Sequence, residues 1–231
     1  MRVFTALWPP PHVLDHLDLA LAGVRGRPAG AGGELRWSAR ETWHLTTAFY
    51  GSVPDGLAGA ADAAGSPSDA RPADAPGGLA DALARAVVGL APYELRLRGA
   101  GVFARRTVWI GVGGDVERHR ELTRACVDAG ADVAAPPDTR VRERAHLTVA
   151  RVRPGQGPPR RGGSRPHRGG RPGSSTDRLQ DDPAAALARA LAVYEGPTWT
   201  VEDVLLVSSR PGEGRGGGPL YTPVARVPLR G

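Results

Sequence analysis

The tetrads His44-Leu45-Thr46-Thr47 and His146-Leu147-Thr148-Val149 each lead a short apolar run, and each is followed by an alanine, Ala48 or Ala150. In an extended strand alternate side chains share a face, so His44 and Thr46 project together while Leu45 and Thr47 turn the other way. His146 and Thr148 do the same against Leu147 and Val149. A single His-x-Thr match is an ordinary coincidence in a chain with six histidines, but two matches sharing the intervening leucine are not. The chain must therefore build two strands in similar surroundings, each with a polar pair on one face and an apolar pair anchoring the other. This weak internal repeat points at the site.

The residue types fit one chemistry. Two imidazoles, one neutral and one protonated, can take a proton from an attacking water and deliver one to a leaving oxygen, because histidine titrates close to neutral pH. Each threonine hydroxyl can hold a non-bridging phosphate oxygen as charge builds on it. A lone histidine on a half-buried strand is most often a hydrogen-bonded structural residue; the doubling reverses that weighing.

Around the tetrads, strand and helix patterns alternate. Strands are predicted at 2–8, 34–38, 43–50, 93–98, 107–112, 145–152, 198–207 and 220–229. Helices are predicted at 79–90, 115–132 and 183–194, and another opens at Pro11 with Leu14, Leu17, Leu21 and Val24 on one face. Each half of the chain thus has an α+β composition. With 231 residues, 41% of them hydrophobic, there is enough apolar surface for a real core. Residues 54–78, rich in Ala, Gly, Pro and Asp, read as a flexible insertion. Residues 154–178, rich in Arg, Gly and Pro without a large apolar side chain, read as a disordered one.

The formal charge of +6 is a weak clue to nucleic acid. The chain has no lysine or asparagine and abounds in Arg, Ala, Gly and Pro, a bias that arises without reference to function. The 154–178 segment carries +5 and the 54–78 segment −3, leaving +4 for the remainder. One cysteine, Cys126, excludes an internal disulfide and a cysteine-based zinc site. No run approaches the roughly 20 apolar residues of a membrane span. A soluble, cytoplasmic protein without a membrane partner is expected.

With these residues in view, the chain resembles the 2H phosphoesterase superfamily, and within it the RNA 2′,3′-cyclic phosphodiesterases, also known as LigT-like or ThpR-type 2′-5′ RNA ligases. The matching stretches are Arg2-Val3-Phe4-Thr5-Ala6-Leu7, the segment from Trp43 to Gly51, the segment from Phe103 to Gly113, the segment from His146 to Val152, and Gly218-Pro219-Leu220-Tyr221-Thr222-Pro223. The two insertions depart from the compact family pattern, as does Tyr50, where an aliphatic residue is usual. The resemblance implies a bilobal α+β fold, two pseudo-symmetric antiparallel-sheet lobes with outer helices around a central cleft, each lobe supplying one tetrad. It implies hydrolysis of an RNA 2′,3′-cyclic phosphate end to a 2′-phosphomonoester by a monomer without metal or cofactor, and a reversible 2′-5′ ligation. By the same analogy His44 is the proton donor and His146 the proton acceptor, with Thr46 and Thr148 holding oxygens; the spacing alone does not assign those roles. Small cyclic nucleotides or an ADP-ribose cyclic phosphate are alternative substrates, and a non-catalytic RNA-binding module is a third reading.

Further candidates are substrate-binding. Tyr50 shares strand parity with His44 and could stack on a base, core packing being the alternative. Arg105 and Arg106 are candidate contacts to the RNA backbone. Arg151 has the opposite parity to His146, so a salt bridge at the lobe edge competes with phosphate contact. His119, on a charged helix, is expected to be exposed, and Cys126 to be a small buried hydrophobe.

Overall fold

The computed structural model describes residues 1–25, 34–58, 78–136, 144–153 and 182–231. Its first part runs β1 (Arg2–Leu7), α1 (Pro11–Arg25), β2 (Leu35–Trp37), a 3₁₀ turn (Arg40–Thr42), β3 (Leu45–Ser52), a single-turn α2 (Asp55–Ala58) and α3 (Leu79–Ala86). A long hairpin follows, β4 (Tyr93–Phe103) and β5 (Thr107–Gly114), then α4 (Val116–Asp132) and β6 (His146–Val152). The chain ends with α5 (Pro183–Ala190), β7 (Glu195–Val201), β8 (Asp203–Arg210), a 3₁₀ turn (Arg215–Gly217) and β9 (Leu220–Pro228). The segment 154–178, and residues 59–77 of the segment 54–78, lie outside the described residues.

The strands form two antiparallel sheets, one ordered β3-β1-β8-β9 and the other β2-β6-β5-β4-β7. Setting β2 aside, the sheets correspond strand for strand, with the tetrad strand (β3 or β6) pairing with β1 or β5 in each. The repeat is not a division of the chain into halves, because the first sheet joins the N-terminal strands to the C-terminal pair. The expected single strand 198–207 is accordingly two strands. At Glu202 the chain leaves the second sheet, where Trp199 and Val201 are buried, and enters the first, where the run from Val204 to Val207 is buried. Alternation alone does not register such a crossing.

Helices are exchanged between the sheets. α1 follows β1 of the first sheet but packs on β7 of the second, whereas α4 follows β5 of the second and packs on β3 of the first. Val13, Leu14, Leu17 and Leu21 form the buried face of α1, and Val24, the last of the expected stripe, is only partly buried. Beneath the sheets these helices share one apolar cluster with Trp43, Leu45, Leu122, Cys126 and Leu147. A smaller cluster of Phe4, Ala6, Leu205 and Val207 lies on the opposite face of the first sheet, flanked by Trp8, Phe49 and Tyr221. That second face forms one wall of a cleft.

The strand expected at 93–98 continues to Phe103. Gly99, Ala100 and Gly101 are weak strand formers, but the ladder to β5 carries through them with a bulge at Gly99, whose φ is +61°. Ala104 and Arg105 then close the hairpin with positive φ at both positions, and the Arg106 amide donates to the Phe103 carbonyl at 2.9 Å.

Candidate active site

Each tetrad strand contains a bulge at the same place. Thr5 pairs with Ala48 and Ala6 with Thr46, so Thr47 is an extra residue in β3; Val108 pairs with Ala150 and Trp109 with Thr148, so Val149 is the extra residue in β6. A bulge reverses strand parity beyond itself. His44 and Thr46 face the cleft as the alternation predicts, and so do His146 and Thr148; all four line one cavity of about 2300 Å³ between the sheets.

Beyond the bulges the parity reading fails, and two expectations are corrected. Tyr50 turns inward and is 2% exposed, its hydroxyl donating to the Cys126 carbonyl of α4 at 2.7 Å; Phe49 takes the place in the cleft that parity assigned to Tyr50. Arg151 swings onto the face of His146 and Thr148, lines the cavity, and donates to the Thr107 hydroxyl at 3.1 Å. Phe49 and Arg151 thus occupy equivalent positions, five residues after their respective histidines.

Arg105 and Arg106 sit in the hairpin turn and do not line the cavity. The Arg105 Nε donates to Asp182 at 3.2 Å, and that buried carboxylate caps α5 by accepting from the Ala184 and Ala185 amides. Arg105 thus ties the hairpin to a helix end. His119 is also corrected: it is 4% exposed, with Nδ1 at 3.0 Å from the Tyr93 hydroxyl. Cys126 is buried, as expected.

The two histidines are held alike. Nδ1 of His44 donates to the Thr42 carbonyl at 2.7 Å, and Nδ1 of His146 donates to the Arg144 carbonyl at 3.0 Å. A carbonyl can only accept, so each ring carries its proton on Nδ1 when neutral. In His44 the remaining nitrogen, Nε2, meets the Thr46 hydroxyl at 3.1 Å. In its neutral form this nitrogen accepts the threonine proton, and when charged it donates.

Aromatic rings enclose both histidines. Trp8 stacks on His44 at 4.8 Å, Phe4 tilts against it at 5.0 Å and Tyr221 meets it edge-on at 5.1 Å. Around His146, Phe103 meets the imidazole edge-on at 4.8 Å and is itself stacked on Trp109 at 5.0 Å. Burial among its rings pulls His44 down to about 4; the hydrogen bond to Thr42 opposes this and the charge of His146 across the cleft adds to it. Tyr221 is raised by burial, while the Arg151 charge from the facing sheet pulls it back. These rings were missed because the sequence scan followed polar pairs. Phe4, Trp8 and Tyr221 come from β1, the residue after it and β9, which meet only in the folded sheet.

Cationic side chains dominate the cavity walls, with Arg36, Arg98, Arg144, Arg151 and Arg215 against Glu41, Glu117 and Glu213. Such walls favour an anionic occupant. Among the described residues no three His, Cys, Asp or Glu side chains gather in a group able to hold a metal, and no helix is long and apolar enough to cross a membrane.

Two antiparallel sheets, each presenting one His-x-Thr pair to a shared cleft, make up a fold that this chain shares with solved structures of the LigT type. Its architecture is similar over its full length to TT0787 of Thermus thermophilus, with a TM-score of 0.59, 23% identity and 99% of that chain covered. It is also similar to E. coli LigT in apo form, with a TM-score of 0.62 and 18% identity over 98% of that chain, and to LigT complexed with 3′-AMP, with a TM-score of 0.60. In sequence the chain is 30% identical over 129 residues to the RNA 2′,3′-cyclic phosphodiesterase of Geobacillus stearothermophilus, a match covering 53% of this chain and 34% of that protein. The matched region spans about a third of that curated relative's length. No protein-family model matches the chain.

Proposed function

We propose that this protein hydrolyses the 2′,3′-cyclic phosphodiester at an RNA end to a 2′-phosphomonoester by two-histidine acid–base catalysis without a metal. The observation that carries the reading is the matched pair of imidazoles, each fixed through Nδ1 to the carbonyl two residues before it, beside a threonine on the same face of its strand and within one basic cleft. In-line attack on a cyclic phosphate needs a base on one side of phosphorus and an acid on the other. A cleft with one imidazole on each wall supplies that arrangement.

His146 takes the proton of the attacking water, the water oxygen bonds to phosphorus, and the bond from phosphorus to the ribose 3′-oxygen breaks as His44 delivers a proton to that oxygen. Free His44 is neutral near pH 7, so its proton arrives with the substrate: an anionic phosphate beside Nε2 favours the imidazolium and reverses the effect of the surrounding rings. Thr46 and Thr148 hold equatorial oxygens, and Arg151 holds the phosphate or the strand attached to it. The same acid–base pair serves when a ribose 5′-hydroxyl replaces the attacking water: its oxygen bonds to phosphorus as the bond to the 3′-oxygen breaks, which is a 2′-5′ ligation, and the reverse step restores the cyclic phosphate and the 5′-hydroxyl.

The similarity to a protein named RNA 2′,3′-cyclic phosphodiesterase supports RNA over a small cyclic nucleotide. Product analysis on an RNA ending in a 2′,3′-cyclic phosphate, with and without chelator and beside nucleoside 2′,3′-cyclic monophosphates, tests the reading. A 2′-phosphate end formed equally fast in chelator is expected; binding without turnover would overturn it.

A further inference from the structure

Beneath the first tetrad lies a polar cluster that the acid–base chemistry does not use. Thr5, Thr47 and Tyr50 are all buried, Thr5 and Thr47 with no exposed surface. The Thr5 hydroxyl accepts from the Ala48 amide at 3.0 Å and from the Thr47 hydroxyl at 2.8 Å. Its own proton faces the Tyr50 oxygen at 3.4 Å and the Ala48 carbonyl at 3.5 Å, and Tyr50 in turn donates to Cys126 on α4.

The location is informative. Val3 pairs with Gly51 and Phe4 with Phe49, so Tyr50 is itself a second extra residue in β3. Thr47 and Tyr50 are therefore the two residues that leave the ladder, and Thr5, on the partner strand between them, touches both. A bulge displaces an amide from its ladder partner, and a buried amide must find another acceptor. Here the acceptor is one hydroxyl. The second lobe has no counterpart: Val108 stands where Thr5 does, and Val149 where Thr47 does.

We propose that Thr5 is a positioning residue whose hydroxyl clamps the β3 bulge, fixing the parity that keeps Thr46 and Phe49 in the cleft while Tyr50 anchors α4. Without the clamp the Ala48 amide and the Thr47 hydroxyl lose their common partner in a dry interior, and the strand relaxes toward a register in which the His44–Thr46 pair is no longer held at 3.1 Å. The consequence for turnover rests on the phosphodiesterase reading above; the consequence for the backbone does not.

The test combines amide hydrogen exchange with steady-state kinetics on the cyclic-phosphate RNA. In the wild type the Ala48 amide exchanges only through global opening; fast exchange there overturns the clamp before any variant is made. Thr5→Val accelerates exchange at Ala48 but leaves the mirror amide of Ala150 unchanged, and lowers kcat by about ten- to a hundredfold with little change in KM. Thr5→Ser, which keeps the hydroxyl, restores both. Leu187→Val, a core substitution on α5 outside the site, controls for loss of stability and leaves kcat unchanged. Wild-type kcat in a folded Thr5→Val, or a kcat loss that Thr5→Ser shares, overturns the proposal. A wild type inert on the cyclic phosphate defeats the phosphodiesterase reading instead, and Ala48 exchange then decides the clamp. If Thr5→Val does not fold, the wild-type exchange and the Thr5→Ser kinetics decide it.

Discussion

His44 shows how surroundings set a residue's chemistry. Its ring is sandwiched by apolar and aromatic neighbours that disfavour the charged form, and it is pulled down to about 4. Because kcat/KM reports the free enzyme, its acid limb is expected near pH 4 rather than near the ordinary histidine value of about 6.5, whichever histidine is the acid. The limb for kcat lies higher, since bound phosphate raises the group. Trp8→Ala opens the ring stack to water and moves the kcat/KM limb upward toward 6.5; an unmoved limb would show that burial is not what depresses His44. His44→Ala and His146→Ala each lose several orders of magnitude in kcat/KM. A cyclic substrate with sulfur replacing the 3′-oxygen separates the two roles, because a thiolate leaves without a proton. His44→Ala then recovers most of its lost rate on the sulfur substrate and His146→Ala does not. The opposite pattern would exchange the donor and acceptor roles.

At the level of elements, the bulges decide which residues reach the cleft. Both tetrads and the strands bearing them were legible because a two-residue alternation holds from His44 to Thr46 and from His146 to Thr148. Tyr50 and Arg151 were misplaced because a single extra residue, Thr47 or Val149, reverses every later side chain and leaves no compositional trace. Their corrected positions have different consequences. Arg151→Ala raises KM by about tenfold or more, whereas Arg105→Ala leaves KM unchanged and costs about 1 kcal/mol of stability, since its ion pair with Asp182 is partly screened by solvent. Kinetics and urea unfolding on the two variants, compared side by side, check the distinction. The β4–β5 hairpin carries a further dependence. A Cβ at Gly101 would lie 2.3 Å from the Trp109 ring, which supports Phe103 against His146. Gly101→Ala is expected to displace the stack, lowering Tm through overpacking of about 1–3 kcal/mol and lowering kcat with it. An unchanged tryptophan emission spectrum and unchanged kcat would contradict that linkage.

The two lobes are interlaced by the return of β8 and β9 to the first sheet and by the exchange of α1 and α4, so the molecule is expected to unfold as one unit. The interlacing was not legible, because local periodicity names an element without naming the sheet it joins; Glu202, where one apparent strand divides between two sheets, is the clearest case. Nor was the burial of His119, since the charged neighbours Arg118, Arg120 and Glu121 give its helix a polar look while the ring itself points at Tyr93. That burial ties stability to pH. Burial, followed by the charge of Arg120, pulls His119 down to about 4. Between the unfolded value of about 6.5 and this folded value, the unfolded chain binds a proton that the native state does not, so the free energy of unfolding falls as pH falls through that window. Above about 6.5 neither state is protonated and the contribution is complete; below 4 both are, and no further loss follows. For His119 alone the loss approaches about 3 kcal/mol, and His44 steepens the same slope. His119→Gln, which keeps a partner for the Tyr93 hydroxyl but cannot titrate, is expected to be less stable at pH 7 and to lose less on acidification, so that its unfolding curves and those of the wild type converge toward pH 4. Urea titrations at pH 7, 5.5 and 4 measure this directly, and parallel losses in the two proteins would show that His119 is not the linked group.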